Sequence, residues 1–243
     1  MTGQSGRRRT AVITGGSGGI GIACAEALVA RGYDVVLTAR GEDALRSAAD
    51  RTGARWVAAD SADPDAFARV VDAVEHVDLL VHSAGILKGT FVRKERVADF
   101  DEVIRANLRS TFVVSQGVLP KMGPGGRIVF VSSSAGQAGM KARSAYSASK
   151  AGMNAFAQAL AAEVARDGIQ VHVLVPAPVE TPMLEEVTFA MHALQAKDVA
   201  DALVFLDGLD PRVVLPELAL RAVSEGPLAP PPLLPAAARE GRP

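Results

Sequence analysis

Tyr146 and Lys150 stand four residues apart in YSASK, with only small residues between them. On a helix that spacing places both side chains on one face, one turn apart. A phenol beside an ammonium can move a proton, because the cation favours the phenolate. Free tyrosine titrates near ~10, so the pair is useful only where its surroundings bring that value toward neutrality. A second stretch, TGGSGGIG from Thr14 to Gly21, follows the strand-like TAVIT. A strand that turns tightly on glycines into a helix presents free N–H groups and the positive end of the helix dipole. Gly15, Gly19 and Gly21 let a diphosphate, or a neighbouring backbone, come close there. Ser17, Gly18 and Ile20 complete the turn as cofactor-binding candidates.

The second strand ends DVVLTAR, so Ala39 and Arg40 occupy the place where an acidic residue would bind the ribose 2′-OH of NAD. A carboxylate would repel a 2′-phosphate, whereas a guanidinium binds one bidentately. The sequence therefore favours NADP (NADPH) over NAD, with Arg40 reading the phosphate.

The elements that must position these residues alternate along the chain. Strand candidates are 10–14, 34–38, 55–59, 77–83, 126–132, 169–175 and 211–220. The first six are apolar with little alternation, as strands covered on both faces should be. Helical stretches fall near 20–31, 42–51, 64–75, 95–121, 145–167 and 197–206. Strand, helix, strand, repeated, predicts an α/β fold with a parallel sheet and right-handed crossovers. Residues 1–9 are expected to form a flexible tail in which Arg7, Arg8 and Arg9 are solvated. Residues 10–222 form one domain. From 223 to 243 the prolines, which can neither continue a helix nor donate to a ladder, predict irregular chain.

Composition narrows the functional classes. A net charge of −1 gives no field for nucleic acid or a membrane surface. No apolar run follows the arginines to serve as a signal, and none reaches the length of a membrane span. The single cysteine, Cys24, excludes an internal disulfide and a cysteine metal cluster, and no metal is expected. The expected compartment is the cytoplasm.

Taken together, these motifs resemble the short-chain dehydrogenase/reductase family. TGGSGGIG is similar to its TGxxxGIG turn and YSASK to its YxxxK motif. Ser133, in FVSSSAG, stands at the separation from Tyr146 usual for the family's catalytic serine. Asn107, in RANLRSTF, resembles its catalytic asparagine. The resemblance, over about residues 10–220, implies a doubly wound, seven-stranded parallel Rossmann sheet and NAD(P)-dependent chemistry on a hydroxyl or carbonyl group. It implies Tyr146 as general acid or base and Ser133 as donor to the substrate oxygen. Lys150 would hold the nicotinamide ribose, and Asn107 would anchor a water linking Lys150 to solvent. Asp60 and Ser61 would contact adenine; Ser83, Ala84 and Gly85 would pass the adenosine. Pro176, Val179 and Thr181 would lie on the nicotinamide side.

The sequence departs from the family at three places. HSAG, His82 to Gly85, stands where the family has NNAG, so His82 replaces a sheet-bracing asparagine; a packed neutral histidine is expected. Pro176-Ala177 replaces PG, and alanine lacks glycine's freedom at positive φ. The stretch after Thr181 is short; Met183, Leu184, Phe189 and Met191 could line a substrate pocket. The ending from Leu194 to Arg221 resembles a subgroup acting on 3-hydroxy acids and small hydroxy or keto compounds. A 3-oxoacyl reductase is a rival reading, with Arg93, Lys94, Arg96, Lys141 and Arg143 as a rim for an acyl carrier. A silent NADP-binding sensor is another. The Ala-rich helix from 145, which relatives pair across a two-fold axis, implies a homodimer or homotetramer.

Overall fold

The structure, a computed structural model, describes residues 7–183 and 193–223. Seven parallel strands form the central sheet: β1 (Thr10–Thr14), β2 (Asp34–Ala39), β3 (Arg55–Ala58), β4 (Leu79–His82), β5 (Arg127–Val131), β6 (Gln170–Pro176) and β9 (Glu217–Leu220). Their order is β3-β2-β1-β4-β5-β6-β9, and every pairing is parallel. Two short strands, β7 (Val179–Glu180) and β8 (Leu194–Gln195), pair beside it.

The lack of alternation in the strand sequences has a direct cause. Successive side chains face opposite layers, and both layers are apolar. Ala11 and Ile13 pack into one core with α1 (Gly19–Ala30), α2 (Glu42–Thr52) and α7 (Ala196–Asp207). Val12 packs into the other with α3 (Pro64–Asp72), α5 (Ser110–Val118) and α6 (Ser144–Val164). Local signals set the helix ends: Asp63 caps α3 by accepting from Asp65 N and Ala66 N, with Pro64 in the first turn.

Three expectations are corrected. The long helix expected over 95–121 is α4 (Val97–Ile104), a π-helical turn (Arg105–Arg109) and α5. The wider turn coincides with hydroxyls that bond back one turn: Ser110 Oγ donates to Ala106 O at 2.7 Å and Thr111 Oγ1 to Asn107 O at 2.7 Å. The strand expected over 211–220 begins only at Glu217, after Pro216. Before it the chain is held by Gln170 Nε2, which donates to Pro211 O and Val213 O.

The third correction concerns the arginines. Arg7 pairs with Asp78 at 2.7 Å, and Arg8 donates to Gly32 O and Tyr33 O. Arg9 forks onto both oxygens of Asp207 and lies 4.5 Å over the Tyr33 ring. Asp207 is buried and also accepts from Tyr33 Oη at 2.7 Å, so its charge needs the cation. Residues 7–9 are therefore clamped to the domain. The irregular tail expected over 223–243 lies outside the described residues from 224 onward, as do Leu184, Phe189 and Met191.

Candidate active site

The carboxyl ends of β1, β2 and β3 open onto a cleft of about 270 Å³. The topology places it beside the point where strand order reverses between β1 and β4, the position where open α/β sheets bind ligands. Gly15, Ser17, Gly18, Arg40, Asp60, Ser61, Ser83, Ala84 and Gly85 line it.

Its floor is built from backbone. Gly15 has φ +67°, and a Cβ there would lie 2.8 Å from Ala84 N. A Cβ on Gly21 would lie 2.3 Å from Gly15 O, so the turn closes only because both are glycine. Gly18 N donates to Gly15 O at 2.9 Å and Gly16 N to Thr38 O at 3.0 Å, which folds the loop over the end of β2. The result is a bare main-chain cradle at the start of α1, followed by an exposed Arg40. That donor set and shape fit the diphosphate and 2′-phosphate of a dinucleotide. Gly19 lies under the Thr181 methyl, and Gly21 and Ile20 lie behind the turn, where Ile20 packs on the core. Pro176 ends β6 and Val179 is buried; neither lines the cleft. Ala177 keeps an ordinary negative φ, and its N–H donates to Leu220 O at 2.8 Å, so the alanine that replaces glycine carries no strain.

Gly85 joins the cradle to the catalytic candidates. A Cβ on it would lie 3.2 Å from Asn107 Oδ1 and 3.8 Å from Lys150 Nζ. Asn107, fully buried in the π turn, accepts from Ile86 N at 2.8 Å through Oδ1. Its Nδ2 donates to Ile86 O at 3.1 Å and to Ser149 Oγ at 3.0 Å. Both amide protons are thus used, and the water expected at Asn107 has no side-chain donor left to it. The side chain pins the Gly85-Ile86 shelf to α6.

Lys150, buried on α6, donates from Nζ to Val131 O at 2.8 Å, and burial lowers its pKa to about 8. Its ammonium lies 5.9 Å from the centre of the Tyr146 ring. Tyr146 departs from the sequence expectation: burial raises its phenol above the ordinary value, and an interaction with the Ser133 hydroxyl opposes that rise. Ser133 Oγ also accepts from Ala135 N at 3.2 Å, which fixes the loop after β5.

The sequence reading missed four supporting groups. Ser149 holds Asn107 and donates to Tyr146 O at 2.7 Å. Ser147 accepts from Met140 N at 3.0 Å, so the small residues of YSASK are pins as well as spacers. Gly136 allows the Ser133 loop to touch α6, since a Cβ there would lie 2.8 Å from Lys150 C. Arg105, also lining the cleft, pairs with Asp60 at 2.8 Å. Only the glycine carried a usable signal, in SSSAG.

His82 is fully buried and linked at both ring nitrogens, to Thr14 Oγ1 at 2.8 Å and Ser110 Oγ at 3.2 Å. Because Ser110 donates to Ala106 O, Nε2 carries the proton and donates to Ser110 Oγ, and in the neutral ring Nδ1 accepts from Thr14 Oγ1. Burial, with the Lys150 charge, pushes its pKa down to about 3. The histidine is therefore a brace between β1, β4 and α5. Among the described residues no helix is long and apolar enough to cross a membrane, and no group of side chains could hold a metal ion.

The family profile for short chain dehydrogenase matches residues 9–191. An uncharacterized oxidoreductase of Staphylococcus epidermidis is 34% identical over 226 residues, which cover 89% of this chain and 98% of that protein. The 3-oxoacyl-(acyl-carrier-protein) reductase FabG of Salmonella typhimurium is 36% identical over 183 residues, 72% of this chain and 75% of that protein. Among solved structures, BdcA in complex with NADPH superposes with a TM-score of 0.78 at 30% identity, covering 89% of this chain and 96% of that one.

Proposed function

The chain belongs to the short chain dehydrogenase family of NAD(P)-dependent oxidoreductases, and from that premise we propose that it interconverts a hydroxyl and a carbonyl group on a small or medium-sized substrate, using NADP, with Tyr146 as general acid or base. The observation that carries this reading is the placement of Tyr146 against Ser133, with Lys150 one helical turn behind and Gly85 joining them to the glycine cradle.

In the bound state the nicotinamide supplies or accepts the hydride and, when oxidised, adds a positive ring. The chain's own residues do the rest. Tyr146 Oη gives a proton to the carbonyl oxygen in reduction and takes the alcohol proton in oxidation. Its burial keeps the phenol protonated, which suits reduction; the Ser133 interaction pulls toward the phenolate, which suits oxidation. Ser133 donates to the substrate oxygen where negative charge develops, an effect of roughly 3 kcal/mol. Lys150 adds a positive charge beside the phenol and would hold the nicotinamide ribose. Arg40 holds the 2′-phosphate.

The BdcA complex supports NADP as the cofactor. A narrower reading, reduction of a 3-oxoacyl group borne on a carrier, draws on the Salmonella relative and on Arg93 and Lys141, which flank the exposed Phe91 ring at 5.8 and 5.3 Å. Arg96 and Arg143 do not join that rim freely, being engaged by Asp99 and by Gly89 O. A homo-oligomer formed through α5 and α6 is part of the same proposal. Phe112, half exposed on α5, meets Phe156 of α6 edge-on and leaves an apolar outer face for a second copy.

The test is a titration of the purified protein with NADPH and NADH, followed by a panel of carbonyl compounds read by the loss of NADPH absorbance. Tyr146→Phe is expected to lower turnover by about a thousandfold while leaving NADPH affinity within about twofold. Full turnover in that variant would refute the assigned acid. Tight NADPH binding with no carbonyl reduced would favour the sensor.

A further inference from the structure

Arg105 opens the π turn that carries Asn107 and reaches across the cleft to the end of β3. Its Nη2 donates to Asp60 Oδ2 at 2.8 Å, while Asp60 Oδ1 accepts from Ala62 N at 2.9 Å. Arg40, at the end of β2, completes a trio on one wall. Burial pushes the Asp60 carboxyl up, but the Ala62 N–H, the Arg105 pair and the fields of Arg105 and Arg40 together hold it below its ordinary value. The Arg40 charge is therefore felt at Asp60. With Asp60 claimed from both sides, the Arg40 guanidinium has no ion pair among the described residues.

We propose that Arg105 is a specificity residue for NADP that acts through Asp60. By holding that carboxylate it keeps Arg40 available to a 2′-phosphate and keeps the trio at one net positive charge. The proposal rests on the NADP reading above. Without Arg105, the Asp60 carboxylate, whose side chain is 30% exposed, has Arg40 as its next cation in the cleft. The carboxylate then competes with the phosphate, and the trio becomes neutral. Without Asp60 the trio carries two positive charges. Without both, one positive charge returns and Arg40 is again unpaired. A 2′-phosphate responds to that sum, whereas the uncharged 2′-OH of NADH does not, so the effect falls on the ratio of affinities.

The experiment measures dissociation constants for NADPH and NADH by calorimetric titration of the intact protein, at low and high salt. Arg105→Ala is expected to weaken NADPH about tenfold and to change NADH by no more than about twofold. Asp60→Asn combined with Arg105→Ala should return the NADPH/NADH ratio to within about threefold of the parent. High salt should shrink both differences. Arg105→Lys should retain most of the preference, and because ratios are compared, a modest loss of folded protein does not mimic the effect. Arg40→Asp is the control for the reading itself. If the parent does not prefer NADPH, or Arg40→Asp leaves the ratio unchanged, the NADP reading fails. If the parent prefers NADPH and Arg40→Asp abolishes that preference, but Arg105→Ala weakens both cofactors equally or neither, the role of Arg105 is overturned and the reading stands.

Discussion

The two halves of the site are built from different materials. The nucleotide half, at the ends of β1, β2 and β3, is main chain and open space edged by partly exposed charges: Arg105 is 42% and Asp60 30% exposed at the side chain. The catalytic half, where the π turn meets α6, is a buried lattice of side chains. Asn107 and Ser149 are 0% exposed and Lys150 4%. The main-chain floor of the first half fails when an atom is added. The second half tolerates little change of polarity, because the buried Asn107, Ser149 and Lys150 each bond to a named partner.

The sharpest way to break this contrast is Gly21→Ala. The added Cβ lies 2.3 Å from Gly15 O and 3.0 Å from Gly16 Cα, both backbone, so the turn must open. Stability is expected to fall by roughly 3 kcal/mol in urea unfolding, and NADPH affinity by about a hundredfold, since the cradle N–H groups no longer converge. An alanine variant that binds NADPH like the parent would show that the cradle is not held by close backbone approach.

Lys150→Met tests the other half. Folded Lys150 releases its proton at about 8 rather than 10.5. The unfolded chain therefore binds the proton more tightly between those values. The penalty is present in full below pH 8 and disappears as pH rises toward 10.5, and it amounts to roughly 3 kcal/mol at pH 7. Methionine removes the buried charge but also the donor to Val131 O, which returns part of that gain. The variant is expected to be about 1–2 kcal/mol more stable than the parent at pH 7, with the advantage gone by about pH 10, while turnover falls by at least about a hundredfold. A variant destabilised equally at both pH values would mean that the ammonium is not strained by burial. By the same charge, NADPH-linked reduction in the parent should decline above pH 8.

How far the sequence carries follows the same division. The glycine turn and the Tyr146–Lys150 spacing were legible because their chemistry depends on residue type and local separation. The six apolar strands were legible because both faces of the sheet are covered. The π turn was not, since no propensity marks one extra residue in a helix, and with it went the bonds from Asn107 to Ile86 and Ser149. Ser149 was not legible because its partner Asn107 comes from another helix, and Ser147 because its bond to Met140 N depends on how the preceding loop folds back. The clamp on Arg9 was not legible because its partner, Asp207, lies 198 residues away. Arg105 carried no signal for the same reason: a polar residue on a helix is ordinary until the fold sets Asp60 beside it.

His82 joins the two halves, and its test has the smallest expected effect. The Ala84–Thr14–His82–Ser110–Ala106 chain runs from the cradle to the π turn, and it holds only while the imidazole is neutral. Folded His82 titrates at about 3 against 6.5 for a free histidine. Between those values the unfolded chain binds a proton that the folded chain refuses, so stability is intact above pH 6.5 and declines as pH falls toward 3. At pH 5 this one group accounts for about 2 kcal/mol of lost stability. Asparagine can accept and donate in the same place without titrating. In His82→Asn the drop in stability from pH 7 to pH 5 should therefore be about 2 kcal/mol smaller than in the parent, whatever its absolute stability at pH 7. Urea midpoints at the two pH values measure this directly. His172, also held below its ordinary value by burial, contributes equally to both proteins and cancels in the comparison. Identical pH losses in the two would mean that acid weakens the sheet somewhere other than this brace.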